Sequence, residues 1–169
     1  MKKYQGLNMN HKILIGLLSA LFLLTACGTT PYKSESTALI VFKTPTFKYA
    51  DMGFVYENSD EVKVEIYSSG QALMSLMISE KSVCMSLLAC MNKRAFNQQV
   101  LSAHYPDTIL DNIFRGKSIF KDKNLQKNSN GFTQKIINKN KYNIEYSVLN
   151  NDIVFRDTIN DIFIKVKKQ

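Results

Sequence analysis

The stretch EVKVEIYSSGQALMSLMI, residues 61–78, decides the fold. Val62, Val64 and Ile66 alternate with Lys63, Glu65 and Tyr67. A period of two belongs to a half-buried strand, not to a helix. Ser68-Ser69-Gly70 supplies turn chemistry, and Ala72, Met74, Leu76 and Ile78 then resume the apolar face. The two runs read as an antiparallel hairpin with one apolar side.

Working outward, the same character holds on both flanks. Ala38–Phe42 is expected to be a first strand and Thr46–Tyr56 a second, broken or bulged near Asp51 and Gly53. Val83–Met91 is more uniformly apolar and reads as buried. The middle of the chain changes period. Lys93–Ala103 suits a helix with Phe96, Val100 and Leu101 on its apolar side, and Thr108–Arg115 a second with Ile109, Leu110, Ile113 and Phe114 in one stripe. Pro106 before that helix and Gly116 after it follow the asymmetry of helix ends. Asp122–Gly131, rich in Lys and Asn, reads as a loop. Strands return at Phe132–Asn138, Tyr142–Leu149, Ile153–Asp157 and Asp161–Lys167. The fold class is therefore α+β, mainly β: a curved antiparallel sheet whose apolar face is covered by two short helices inserted mid-chain. A sheet apolar on one face needs such a cover.

The N-terminus is of another kind. Lys2, Lys3 and Lys12 precede an apolar run, Ile13–Leu24, and no acidic residue occurs before Cys27. The run is too short for the roughly 20 apolar residues of a spanning helix and has the layout of a secretory signal. Leu24-Thr25-Ala26-Cys27 ends it and looks like a bacterial lipobox: an aliphatic residue, two small residues, then a cysteine whose thiol takes a diacylglyceryl group as a thioether. This reading makes 1–26 a signal peptide, Cys27 the lipid-attachment residue (palmitate or another fatty acid), 27–37 a lipidated tether and 38–169 a single β-rich domain. Two or three acyl chains anchor firmly, since each buried CH₂ contributes about 0.8 kcal/mol. Gly28 in place of Asp after the cysteine favours the outer membrane, with the domain on its periplasmic face.

Three lysines leave with the leader, so the formal charge falls from +8 to +5. No dense Lys/Arg patch with interleaved aromatics is present, which argues against nucleic acid and leaves a modest attraction to acidic lipid headgroups. In an oxidising compartment Cys84 and Cys90 are a candidate disulfide; the alternative is two buried thiols acting as small apolar residues. No metal or other cofactor is expected, because four ligands are not to hand. His104 is the one histidine after Cys27, and no nucleophile elbow, P-loop or dinucleotide fingerprint occurs. A non-enzymatic, monomeric role is expected. Met52, Met74, Met77, Met85 and Met91 either fill the core or line an adaptable apolar cavity.

Two stretches favour the cavity. Residues 105–116, YPDTILDNIFRG, and the strands from Asn143-Ile144-Glu145-Tyr146 through Ile153-Val154-Phe155 to Ile162-Phe163-Ile164-Lys165-Val166 resemble corresponding parts of the LolA/LolB-like lipoprotein carriers and receptors. That family implies an incomplete β-barrel with short helices across its open apolar face. It also implies a role in lipoprotein localisation: accepting acyl chains from a periplasmic carrier and passing the lipoprotein to the membrane. The chain lacks the tryptophans common in that family, and Met52-Gly53-Phe54 is the nearest candidate for its membrane-entering loop. On alternation alone, Val64, Ile66, Met74, Leu76, Ile109, Ile113, Phe114, Ile144 and Val148 are the candidate lining residues. The competing expectation is an envelope assembly or surface interaction lipoprotein with a filled core.

Overall fold

A computed structural model describes residues 31–86 and 88–169. The expected signal peptide and the expected lipid-attachment residue Cys27 lie outside the described residues. Tyr32–Gln169 forms one compact unit.

Eleven strands form a single antiparallel sheet: β1 Ser34–Lys43, β2 Lys48–Glu57, β3 Glu61–Ser68, β4 Gln71–Ser79, β5 Ser82–Met85, β6 Leu88–Asn92, β7 Leu125–Asn128, β8 Gly131–Asn138, β9 Tyr142–Leu149, β10 Asp152–Asp157 and β11 Ile162–Lys168. Their order is β6-β5-β4-β3-β2-β1-β11-β10-β9-β8-β7. It is two meanders joined along the seam where β1 meets β11, with Ala38 opposite Lys168 and Lys43 opposite Phe163. The sheet is open between β6 and β7. The chain between those edges carries helix α1 (Lys93–Val100), helix α2 (Ile109–Phe114) and a 3₁₀ turn at Phe120–Asp122.

α2 touches both β3 and β10, and Phe114 lies 6.5 Å from the ring of Phe42 on β1. β3 and β10 are four strand steps apart, about 19 Å on a flat sheet at ~4.8 Å per strand. A helix about 10 Å wide can reach both only if the sheet curls around it. One core therefore runs from Ile40 and Phe42 through Val55, Val64 and Leu76 to Ile144, Phe155 and Ile164, with Phe96, Ile109, Ile113 and Phe114 from the insert packed into it. Burying each such side chain contributes roughly 1.5–3 kcal/mol.

Several elements differ from expectation for identifiable reasons. β1 begins at Ser34, because pairing with β2 continues from Phe42–Tyr49 back to Ser34–Glu57 whatever the side chains. β2 is unbroken: Gly53 sits opposite both Ala38 and Ile66. A Cβ there would come within 2.0 Å of the Glu65 carbonyl oxygen, so the glycine allows close strand approach, not a bulge. The irregularity falls instead between Ile66 and Tyr67, where the register against β4 shifts, and Ala72 is exposed, not on the apolar face. Val83–Met91 is not buried throughout. It is the β5–β6 hairpin, with Val83 and Met85 buried and Ala89 and Cys90 exposed. A Cys84–Cys90 disulfide with Cα atoms 4.0 Å apart closes it. The expected loop at 122–131 contains the short edge strand β7, paired only with β8. Its polar sequence, LQKN, suits an exposed edge.

Candidate functional site

Helix α2 is built to lie face-down on the sheet. Ile109, Leu110, Ile113 and Phe114 all point inward, and Asp111 sits in its first turn. Gly116 ends it at φ +64, where only 3.4 Å separates a Cβ from Val148, the usual residue for a left-handed helix stop. α1 begins at Asn92, whose side chain accepts from Ala95 N, and buries Phe96, Asn97 and Val100.

The nine candidate lining residues do converge. Val64, Ile66, Met74 and Leu76 come from β3 and β4 and Ile144 from β9, while Ile109, Ile113 and Phe114 come from α2; all eight are buried in one core. Val148 is half-buried at its rim. There it joins Gly116, Ile153, Arg115 and Lys168 around an open cleft of about 250 Å³. A neighbouring charged groove of about 500 Å³ is lined by Asp60, Glu80, Lys93, Asp111, Arg115 and Lys117 among others.

Besides burying its apolar side chains in the core, the insert is tied to the sheet by polar contacts. The Tyr105 hydroxyl donates to Asp157 Oδ2 at 2.5 Å across 52 positions of chain. Asp157, 1% exposed, also accepts from the amides of Asn143 at 3.0 Å and Ile159 at 2.9 Å and from the Asn160 side chain at 2.6 Å. Burial alone would push this carboxyl up, but the donors led by Tyr105 outweigh it and hold the group below the ordinary carboxylate range. The Tyr105 hydroxyl is pushed up, by burial first and then by its bond to Asp157.

Arg115 makes the second attachment. Its guanidinium donates to the Asn58 carbonyl at 2.8 Å and to Asp111 Oδ1 at 2.9 Å, and lies 3.8 Å from Glu57. Lys168 reaches the same Glu57 at 3.0 Å. The third is Gln134 on β8, which is buried. Its carbonyl oxygen accepts from Ile119 N, and its amide donates to the carbonyls of Ile119 and Lys123. The Tyr146 hydroxyl donates to the Lys117 carbonyl at 2.9 Å. Between the ends pinned by Gln134, Phe120, Lys121 and Asp122 have φ of 49°, 53° and 63°. Non-glycine residues rarely adopt this left-handed conformation, and it costs about 1–2 kcal/mol each.

Alternation in the sequence located the floor of the interior. It missed Tyr105, Arg115, Gln134 and Asp157. A local signal exists for Asp157, which heads an Asp-Thr-Ile-Asn turn whose amides its own side chain caps. Nothing local signals its partner. His104 is exposed, with its backbone amide donating to Ser102 Oγ. Among the described residues no group of three or more His, Cys, Asp or Glu is placed to hold a metal ion, and no helix is long and apolar enough to cross a membrane.

No protein-family model matches this sequence, and no curated protein matches it.

Proposed function

We propose that this chain is a lipid-anchored envelope protein that holds an acyl chain, of a lipoprotein or another lipid, between the sheet and its helical insert, in the manner of the LolB-like receptors. One observation carries the reading. The concave face of the central strands is apolar along its length, yet its cover is an eight-residue and a six-residue helix with Tyr105 and Ile119 from the connecting segments, tied at their margins by side-chain hydrogen bonds. That is a lid on an apolar floor. Lifting α2 would uncover Val64, Ile66, Met74, Leu76 and Ile144. An acyl chain would then replace the contacts of Ile109, Ile113 and Phe114, apolar area for apolar area, at about 25 cal/mol per Å². Such an exchange is nearly neutral, so the latches would set the opening equilibrium. The rim cleft beside Val148 and Ile153, flanked by Arg115 and Lys168, suits the polar end of the lipid. Cys27 would carry the anchor, at the periplasmic face of the outer membrane.

A second reading rests on the same core. Eight of the nine lining residues are fully covered with the lid closed, as in an assembly or surface-interaction lipoprotein whose interior never opens. Native mass spectrometry of Gly28–Gln169 expressed in a periplasm separates the two. The carrier reading expects a co-purifying species of lipid mass, lost in Ile113→Asp. It also expects that species to weaken in Val148→Trp, which fills the rim cleft at a half-exposed position and should leave the fold intact. A clean apo mass together with no binding of a fluorescent fatty acid would sink it in favour of the filled core.

A further inference from the structure

The convex face of β1–β3 should be the wet side of the sheet, but it carries an apolar and aromatic patch. Leu39 lies opposite Met52 and Val41 opposite Ala50. Phe54 and Tyr56 continue the row on β2, with ring centroids 6.0 Å apart. Tyr67 on β3 meets Phe54 edge-on at 5.8 Å. Leu39 is 38% exposed, and Val41, Met52, Phe54, Tyr56 and Tyr67 are all half-exposed. At strand rise this row spans about 20 Å.

Charge borders the patch on one side. Lys167 is opposite Leu39 and Lys165 opposite Val41, both from β11. Neither makes an ion pair among the described residues; of the acids on this face, Glu65 is neutralised by Lys63 at 2.7 Å, and Glu35 lies exposed at the end of the row, opposite Tyr56. The chain also enters the domain here. The Tyr32 ring packs 5.4 Å from Tyr56, and the five residues from Cys27 to Tyr32 reach at most about 17 Å.

We propose that this convex face of β1–β3 lies against a bilayer surface bearing anionic headgroups, with the aromatic row at the interface and Lys165 and Lys167 on the phosphates. Tyrosine favours the headgroup level, where its apolar body and polar tip are both satisfied, and phenylalanine adds apolar area beside it. A lysine near an anionic surface attracts it appreciably. The tether is too short to hold the domain far off, so the face at its root meets the membrane first. The orientation deepens the lipid-anchored reading and rests on it, while affinity of the face for lipid does not require the anchor. With this face down, the β8–β9 side of the sheet is left free.

The test uses Gly28–Gln169, which lacks Cys27 and contains the whole compact unit Tyr32–Gln169. It would be floated with vesicles of phosphatidylcholine alone or mixed with phosphatidylglycerol. Binding is expected only to the mixed vesicles and to fall as salt rises. Lys165→Glu with Lys167→Glu should lower partition about tenfold or more, with thermal unfolding unchanged. A polarity-sensitive dye on Thr37→Cys, exposed beside Phe54 on this face, should shift to the blue on binding. The same dye on Lys135→Cys, on the far half of the sheet, should not. Equal shifts at both positions, no flotation, or a shift at Thr37 without vesicles accompanied by a dimer in sedimentation would overturn the proposal. Flotation without any lipid-mass species would leave this face standing and remove the carrier reading; a lipid-mass species without flotation would do the reverse.

Discussion

The sheet and the insert that covers it meet across one core, yet they are held by different means. β1 and β2 pair over ten positions without a slip, and each central strand sends alternate side chains into the interior. The insert adds to its apolar contacts four polar ties, by Tyr105 on Asp157, by Arg115 on the β2–β3 turn, by Gln134 around Ile119 and by Tyr146 on Lys117. Its turn at Phe120–Asp122 is held left-handed. A structure fixed by many small apolar contacts opens only as a whole. One fixed by a few directional bonds can open by itself when one of them is removed. On the proposed reading, the insert is the element that moves while the sheet stays folded.

The largest effect should come from a residue that belongs to both. Phe42 is fully buried on β1 and lies beside Phe114 of the insert. Phe42→Ala is expected to cost about 3–5 kcal/mol, read by urea unfolding, with amide exchange accelerated evenly in β1–β3 and in α2. If only the insert lost protection, the sheet would not depend on its cover, and the single core inferred from packing would have to be split.

Asp157→Asn tests the latch alone. It keeps the shape but turns an anion that accepts five bonds into an amide that cannot accept them all, at about 2 kcal/mol. Loss of protection should concentrate in residues 102–124. The effect has a definite pH sense. The folded carboxyl titrates below its unfolded value of about 3.9, so the unfolded chain binds the proton first. Its stabilisation is present above about pH 4 and is lost as pH falls through the folded pKa. The gap between wild type and Asp157→Asn, followed by unfolding at successive pH values, should therefore narrow below about pH 4. A constant gap would mean that geometry, not charge, does the holding.

The same contrast explains what could be read from the sequence. Period-two alternation is a local record of a face, so Val62–Ile66 and Ile144–Tyr146 could be placed in the core from their own neighbours. The stripe Ile109–Phe114 gave its buried side in the same way. The seam between β1 and β11 has no local record, because it joins the two ends of the domain. Nor has the Tyr105–Asp157 bond. The edge elements were misread for the converse reason. β7 is polar because an edge strand faces water, and Val83–Met91 is apolar although it is a hairpin near the sheet edge, a position no window of hydrophobicity records; its Cys84–Cys90 cross-link was legible from the pair of cysteines. The candidate lining residues were legible as a buried set. Whether that set is a floor or merely a core depends on the latches, which were not.

The smallest expected effect is also the cleanest test of the insert. Phe120 stacks on Tyr142 at 5.0 Å and Asp122 accepts a hydrogen bond from Ser118 Oγ, so replacing either changes more than the backbone. Lys121 is exposed and sits between them at φ 53°. Glycine at 121 removes the left-handed cost of about 1–2 kcal/mol and gives back about 0.5–1 kcal/mol in freedom of the unfolded chain. The net gain should be under about 1 kcal/mol, seen as a small rise in Tm with slower amide exchange at residues 119–123. A gain there, from an exposed side chain, would mean that the Gln134 latch works against stored strain and that the closed insert is poised to release. A loss would mean that the turn is relaxed as it stands. The insert would then be held as firmly as the sheet, which is what a permanently filled core requires and an opening lid does not.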